Sequence, residues 1–92
     1  MSKSLDALRK QIDKTDKFLL KTLAWRFALT RKVGAYKAKH GLSPRDTKRE
    51  KEVFVRLHEF AKKLHLNKQM VEKMYLLIMK TARAEHKKLK NK

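Results

Sequence analysis

The feature that most constrains this chain is a long helical pattern that no turn signal interrupts. From Ser4 to His40, apolar residues recur at intervals of three, four or sums of these, as one face of a helix requires. This apolar stripe consists of Leu5, Leu8, Ile12, Leu19, Leu23, Phe27 and Val33. Ser4 is a suitable N-cap, Asp6 falls in the first turn, and Gly41 is a suitable stop. The pattern therefore predicts a single long first helix.

Two further helices follow the one strong turn signal, "HGLSPRD" at residues 40–46. Asp46 and Asn67 are their predicted N-caps. The apolar stripe of the second helix is Val53, Leu57, Phe60, Ala61 and Leu64, and that of the third is Val71, Met74, Tyr75, Ile78 and Ala82, reaching His86 and Leu89. No segment alternates like a strand, so the predicted fold class is all-α with three helices. Residues 88–92 are expected to form a frayed basic tail.

The length of the first helix favours an oligomer. A helix over 4–40 would be about 55 Å long, whereas a compact monomer of this size has a radius of gyration of about 12 Å. Such a helix would overhang its own domain and expose its apolar stripe. We therefore expect an intertwined homodimeric helical bundle in which the long helices pack together. Gly34, inside the helix, indicates close packing or a slight bend. A full break there is the alternative, and it would give a four-helix monomer.

Composition limits the functional classes. A chain of 92 residues is a single domain, 1–92, and the absence of cysteine excludes disulfides and thiolate metal sites. The first residues lack a signal-peptide core, and the longest apolar run, "MYLLIM", is too short to span a membrane, so a cytoplasmic protein without membrane contact is expected. The 26 Lys and Arg against 9 Asp and Glu, net +17, attract polyanions and small anions alike.

Several charged residues lie on apolar faces, where a solvated surface would not place them. Arg26 adjoins Phe27, and Lys37, eleven residues later, points the same way along the helix. In the second helix Glu50 shares a face with Val53. Each alone is expected to be a boundary residue with its polar end in water. Together they indicate a polar pocket inside a helical bundle, because buried charges are costly unless a partner or ligand compensates them.

The cations of this pocket suit a small ligand with more than one carboxylate, since arginine binds carboxylates with two parallel hydrogen bonds. They are Arg9, Arg26, Lys37 and Arg49. Arg9 and Arg26 are seventeen residues apart on one helix, or roughly 25 Å, which is too far for one small molecule. If both bind the ligand, Arg9 must come from the partner subunit, which again predicts a dimer.

The sequence as a whole resembles a known family, the all-helical chorismate mutases. The resemblance lies in "LRKQIDKTDKFLLKTLAWRFALTRKVGAYKAKHGL", then "RDTKREKEV", then "LIMKTARAEH", in this order and with matching spacings. It covers nearly the whole chain, from about Leu5 to His86. It implies an intertwined helical dimer with two sites, each completed by the partner's first helix. The implied reaction is the conversion of chorismate to prephenate, an isomerase step of the shikimate pathway toward phenylalanine and tyrosine, without cofactor or metal.

The resemblance also implies roles for individual residues. Arg9 from the partner chain and Arg26 would bind the two carboxylates of the substrate. Lys37 would contact a carboxylate and the ether oxygen of the breaking bond. Glu50 would accept a hydrogen bond from the ring hydroxyl. The same resemblance assigns two further residues, Asp46 and Arg49, to the ring side of the site.

The sequence departs from the family pattern at two positions of the third helix. Ala82 stands where relatives commonly have serine, which removes a hydroxyl contact near the ring carboxylate. His86 stands where relatives commonly have glutamine or glutamate as the second donor to the ether oxygen. An imidazole can donate a hydrogen bond in either protonation state, so the role is compatible with histidine.

Two alternative functions come from different classes. An isochorismate pyruvate-lyase, which forms salicylate, has a similar cationic pocket, but "RDTKREKE" is closer to the mutase pattern. A basic helical nucleic-acid-binding protein would explain the net charge directly. It would not explain Arg26, Lys37 and Glu50 on apolar faces, and Trp25 and Phe27 are more typical of a core or an interface than of base stacking. Nucleic acid is therefore not the favoured partner.

Overall fold

The structure, a computed structural model, describes the backbone of residues 2–90 and the side chains of residues 4–88. Its described part contains three α-helices and no strand: α1 (Ser2–Lys39), α2 (Thr47–Lys63) and α3 (Lys68–Lys90). The all-α prediction is therefore confirmed. No helix within these residues is long and apolar enough to cross a membrane. The last residues of α3 overlap the predicted tail 88–92, of which 91 and 92 lie outside the described residues.

The first helix is continuous through Gly34, so the alternative with a break at that residue is wrong. The predicted start of the first helix is also wrong, by two residues. The helix α1 begins at Ser2, so Ser4 lies inside it and is not its N-cap. Asp6 accordingly lies outside the first turn. An N-cap serine does not stop a helix whose preceding residues tolerate helical backbone at little cost.

The end of α1 is fixed by Gly41, as predicted. Gly41 has φ +66°, the left-handed conformation that glycine adopts without strain. The Leu42 N–H donates to the Lys37 carbonyl at 2.8 Å, and the Gly41 N–H donates to Ala38 at 3.4 Å. This pair of hydrogen bonds is the Schellman motif, which satisfies carbonyls that the helix end would leave unpaired.

Both later helices begin at their predicted N-caps. An Asp46 carboxylate oxygen accepts the Arg49 N–H at 3.0 Å, and the Asn67 amide oxygen accepts the Met70 N–H at 2.8 Å. The end of α2 repeats the Schellman hydrogen bonds, but with His65, at φ 56°, in the position that Gly41 occupies in α1.

The chain consists of two compact units, residues 1–30 and residues 31–92. The second unit has a small core where α2 packs on α3. Its buried apolar residues are Ala61, Val71, Ile78, Met79 and Ala82. In the first unit, by contrast, no described side chain is fully buried, and the predicted apolar stripe of α1 is largely exposed. The two units therefore differ in how far each buries its own apolar surface.

Candidate active site

A small cleft in residues 31–92 contains two of the predicted site residues, Lys37 and His86. Lys37, on the last turns of α1, is half-buried, and its Nζ donates to the Pro44 carbonyl at 3.4 Å. His86, on α3, is 8% exposed. The cleft is lined by Gly34, Lys37, Ala38, Leu42, Pro44 and His86. It has room for about one water molecule, so it is a corner of a site and not a complete pocket for an organic ligand.

The position of His86 depends on the glycine it packs against. A Cβ atom added at Gly34 would lie 2.5 Å from His86 Cδ2 and 3.0 Å from Cγ and Nε2. Contacts this short do not occur between real side chains, so the imidazole ring can lie here only because residue 34 has no side chain. The prediction of close packing at Gly34 is therefore confirmed, and the packing partner is a predicted site residue.

Glu50, on the first turn of α2, lies between two guanidinium groups. Its Oε1 accepts a hydrogen bond from Arg83 Nη1 of α3 at 2.7 Å. Its Oε2 lies 3.5 Å from Arg45 Nε. The Glu50 side chain is 20% exposed and that of Arg83 is 31% exposed, so the shorter ion pair is partly withdrawn from water. Arg45 follows Pro44, which accepts from Lys37, so one loop segment contacts both the lysine and the glutamate.

Three other predicted site residues, Asp46, Arg49 and Ala82, make structural contacts within the second unit. Asp46 caps α2 through the Arg49 N–H, and both side chains are exposed. Ala82 is buried on α3, one turn before His86, and contributes to the core of the second unit.

The two remaining predicted residues lie in the first unit. Arg9 is exposed, and Arg26 is half-buried and engaged by other groups of the chain. Both are on α1, seventeen residues apart, so the sequence-based spacing of roughly 25 Å holds along this helix. The second unit thus contains Lys37, His86 and Glu50, and residues 1–30 contain the two arginines.

Sequence reasoning missed the contact that holds Glu50. Arg83 is part of "TARAEH" and lies three residues before His86, which places the two side chains on neighbouring positions of α3. From that spacing alone, Arg83 could have been predicted to lie next to a site residue. The pairing with Glu50 was not predictable from it, because it depends on the register between α2 and α3.

The arrangement is suited to binding and orienting a polar anion. It offers a lysine ammonium, an imidazole and a carboxylate acceptor fixed by arginine, all on helices of one packed unit. Among the described residues, no three His, Asp or Glu side chains lie where they could hold a metal ion.

Comparison with known proteins gives two findings. The sequence profile of the family described as chorismate mutase type II matches residues 8–87. A bifunctional chorismate mutase/prephenate dehydratase from Buchnera aphidicola subsp. Acyrthosiphon pisum (strain APS) is 33% identical over 89 residues. The aligned region covers 97% of this chain and 23% of that protein, so the chain spans about a quarter of the length of this relative.

Proposed function

The chain belongs to the chorismate mutase type II family, and we propose that it is an isomerase that converts chorismate to prephenate. The observation that supports this most is the family match over residues 8–87. The geometry agrees with it, since Lys37 and His86 line one cleft. The loop residue Pro44 accepts a hydrogen bond from Lys37, and the next residue, Arg45, lies 3.5 Å from Glu50. The isochorismate pyruvate-lyase alternative has no observation in its favour.

The reaction is intramolecular and asks for orientation and charge stabilisation. The ether C–O bond breaks while a C–C bond forms between the enolpyruvyl arm and the ring, with no proton, metal or nucleophile consumed. Holding the arm over the ring removes an entropic cost. Negative charge that grows on the ether oxygen is stabilised by hydrogen-bond donors already in place. Lys37 and His86 are the donors that we assign to this oxygen, and Gly34 and Pro44 keep them in position.

The two carboxylates of chorismate are assigned to arginines of the first unit. Arg26 is assigned to one carboxylate and Arg9 of a second copy to the other, and Lys37 is also assigned a carboxylate contact. This assignment requires a homodimer with shared sites, which is the assembly that we propose. Its support is the spacing of Arg9 and Arg26 along α1 and the exposed apolar stripe of residues 4–30, which a second copy would cover.

The ring of chorismate is assigned to α2 and α3. Glu50 accepts a hydrogen bond from the ring hydroxyl, with Asp46 and Arg49 on the same side. Ala82 is assigned to the wall of the site, without the hydroxyl that the family resemblance leads us to expect there. The +17 charge speeds the approach of a dianionic substrate, and we place the protein in the cytoplasm.

The test is product identification. Purified protein is incubated with chorismate, and the products are resolved by chromatography and NMR, with Lys37→Ala as the site control. Prephenate from the wild type, and none above background from the variant, supports the proposal. A parallel incubation with isochorismate tests the lyase, and salicylate plus pyruvate from it, without prephenate from chorismate, would establish the lyase instead. Salt-dependent DNA binding without any turnover would establish a nucleic-acid-binding protein.

A further inference from the structure

The side chain of Arg83 is assigned no role in the reaction, yet its guanidinium makes a short ion pair with Glu50. Its Nη1 lies 2.7 Å from Glu50 Oε1, and the other oxygen of that carboxylate is 3.5 Å from Arg45. Hydrogen bonds between charged groups are typically 2.7–2.9 Å long, so the Arg83 contact has the length of a strong one and the Arg45 contact does not. The carboxylate is thus fixed mainly from one side.

We propose that Arg83 is the positioning residue for Glu50 and thereby sets how tightly the ring hydroxyl of the substrate is bound; this rests on the proposed function. A glutamate side chain has several rotatable bonds, and fixing them costs free energy. Arg83 fixes the Glu50 side chain before the substrate binds, because it holds Oε1 in a partly buried ion pair. Substrate binding then does not have to supply this free energy. The hydroxyl then meets an acceptor that is already oriented.

The geometry leaves an acceptor position for the substrate. An ionised carboxylate can accept about four hydrogen bonds over its two oxygens. Arg83 uses one on Oε1, and at 3.5 Å Arg45 lies beyond the usual hydrogen-bond range from Oε2. The ring hydroxyl can therefore donate to Oε2 without displacing either arginine.

A purely structural role for Arg83 makes a different kinetic prediction. The ring hydroxyl is present in the substrate and in the transition state, so a weaker hold on it raises KM and leaves kcat nearly unchanged. If Arg83 only tied α3 to α2, its loss would also disturb His86 one turn away and lower kcat. The ratio of the two kinetic effects separates the roles.

The experiment measures kcat and KM for the wild type and Arg83→Met with chorismate and with an analogue in which hydrogen replaces the ring hydroxyl. With chorismate, KM of Arg83→Met should rise about tenfold and kcat should stay within about twofold. With the analogue, which has no hydroxyl to bind, the two proteins should have the same kcat/KM. Arg83→Lys keeps the positive charge but loses the planar guanidinium, so its KM should fall between the two; it also serves as the test if Arg83→Met does not fold.

Arg31→Ala is the matched control, because it removes another arginine–glutamate pair of the same unit, Arg31 Nε to Glu85 Oε2 at 3.1 Å, outside the proposed site. Its KM should equal that of the wild type. An equal loss with chorismate and with the analogue, or an unchanged KM with chorismate, overturns the positioning role alone. No turnover of chorismate by the wild type overturns the proposed function and this inference together.

Discussion

Residues 4–30 bury none of their apolar side chains fully, whereas residues 31–88 bury several of theirs. In the first unit Phe18 is 70% exposed and Trp25 is 67% exposed. In the second unit Val71 is 4% exposed and Ile78 is 8% exposed, although both units contain apolar residues at helical spacing. The difference lies in the partners: residues 31–88 contain two helices that pack on each other, whereas residues 4–30 are a single helix.

This difference in burial separates the proposed site residues into two groups. Lys37, His86 and Glu50 are oriented by contacts within one packed unit, so their geometry is a property of a single chain. Arg9 and Arg26 belong to a helix with an exposed apolar face, which burial against another surface would stabilise at about 25 cal/mol for each Å². We infer that this face is the one that a second copy covers. The predictions below test each group separately.

The largest effect is expected in the packed unit, at Lys37. Lys37→Ala should lower kcat/KM by about a thousandfold or more, because it removes a charged donor from the ether oxygen and from a carboxylate. The variant should keep its helical circular dichroism, since Lys37 is half-buried and contributes no apolar core. Lys39→Ala, an exposed lysine of the same last turn, is the matched control and should have normal kinetics. Near-normal activity of Lys37→Ala would contradict the site assignment.

The next effect tests whether the first unit acts across a dimer. Arg9→Ala and Arg26→Ala should each reduce kcat/KM by about a hundredfold, because each loses one carboxylate contact. When the two variants are mixed and subunits exchange, half of the dimers are mixed, and one of their two sites has both arginines. Activity should then recover to about a quarter of the wild-type value.

Recovery on mixing is measured as initial rate after co-refolding, with each variant refolded alone as the control. A rate equal to the average of the two separate variants would show that Arg9 and Arg26 do not serve one site from different chains. In that case residues 1–30 of one chain would not complete the site of a second copy.

A smaller effect is expected at Gly34, which tests how the packed unit orients His86. Gly34→Ala should lower kcat by about ten- to a hundredfold, because the new Cβ would lie 2.5 Å from the imidazole and displace it from the ether oxygen. In a His86→Ala background the same change should leave kcat unaltered and should stabilise α1 by about 1 kcal/mol, the ordinary gain of alanine over glycine in a helix.

Both Gly34 variants are measured by steady-state kinetics and by urea unfolding. His86→Gln supplies the amide donor that the family resemblance leads us to expect at this position and should keep kcat within about threefold of the wild type. Additive effects of Gly34→Ala and His86→Ala on kcat would contradict the coupling between these two residues.

The smallest effect concerns stability alone, at the two Schellman ends. His65 and Gly41 both have positive φ, but only histidine has a Cβ atom, which makes this backbone conformation unfavourable. His65→Gly should raise the free energy of unfolding by about 0.5 kcal/mol, and Gly41→Ala should lower it by about 1 kcal/mol. Nothing lies within 4 Å of a Cβ at Gly41, so its effect is one of backbone conformation.

Urea unfolding at a fixed protein concentration measures both changes, because the stability of the proposed dimer would depend on concentration. Neither residue touches the proposed site, so kcat should be unaltered in both variants. Changes of the same sign at the two positions would mean that side-chain contacts of His65, and not its backbone, decide the outcome.

Most of the fold was predictable from local pattern. Asp46, Asn67 and Gly41 mark the helix ends because capping is a local interaction between a side chain or φ angle and neighbouring backbone groups. The start of α1 was misplaced for the same physical reason: a cap contributes only about 1 kcal/mol and does not stop a helix whose flanking residues tolerate it.

The candidate site was predictable in part. Lys37, Glu50 and His86 stand out as polar residues on apolar faces; Lys37 and Glu50 match the family pattern, and His86 departs from it at a position that the pattern assigns to the site. The contacts that orient them, from Gly34, Pro44 and Arg83, were not evident beyond the expectation of close packing at Gly34. Such contacts join residues far apart in sequence, and their geometry depends on how the helices are rotated against each other.

The sequence by itself determined three helices, the caps at Gly41, Asp46 and Asn67, the +17 charge and the residue types that a dianionic substrate would need. These properties follow from periodicity, capping chemistry and composition, which act within a few residues or need no structure at all. Only the tertiary structure decided that Arg83 holds Glu50 and that the His86 ring fills the space above Gly34. Those contacts follow from the register of α3 against α1 and α2, and packing sets that register to within a fraction of an ångström.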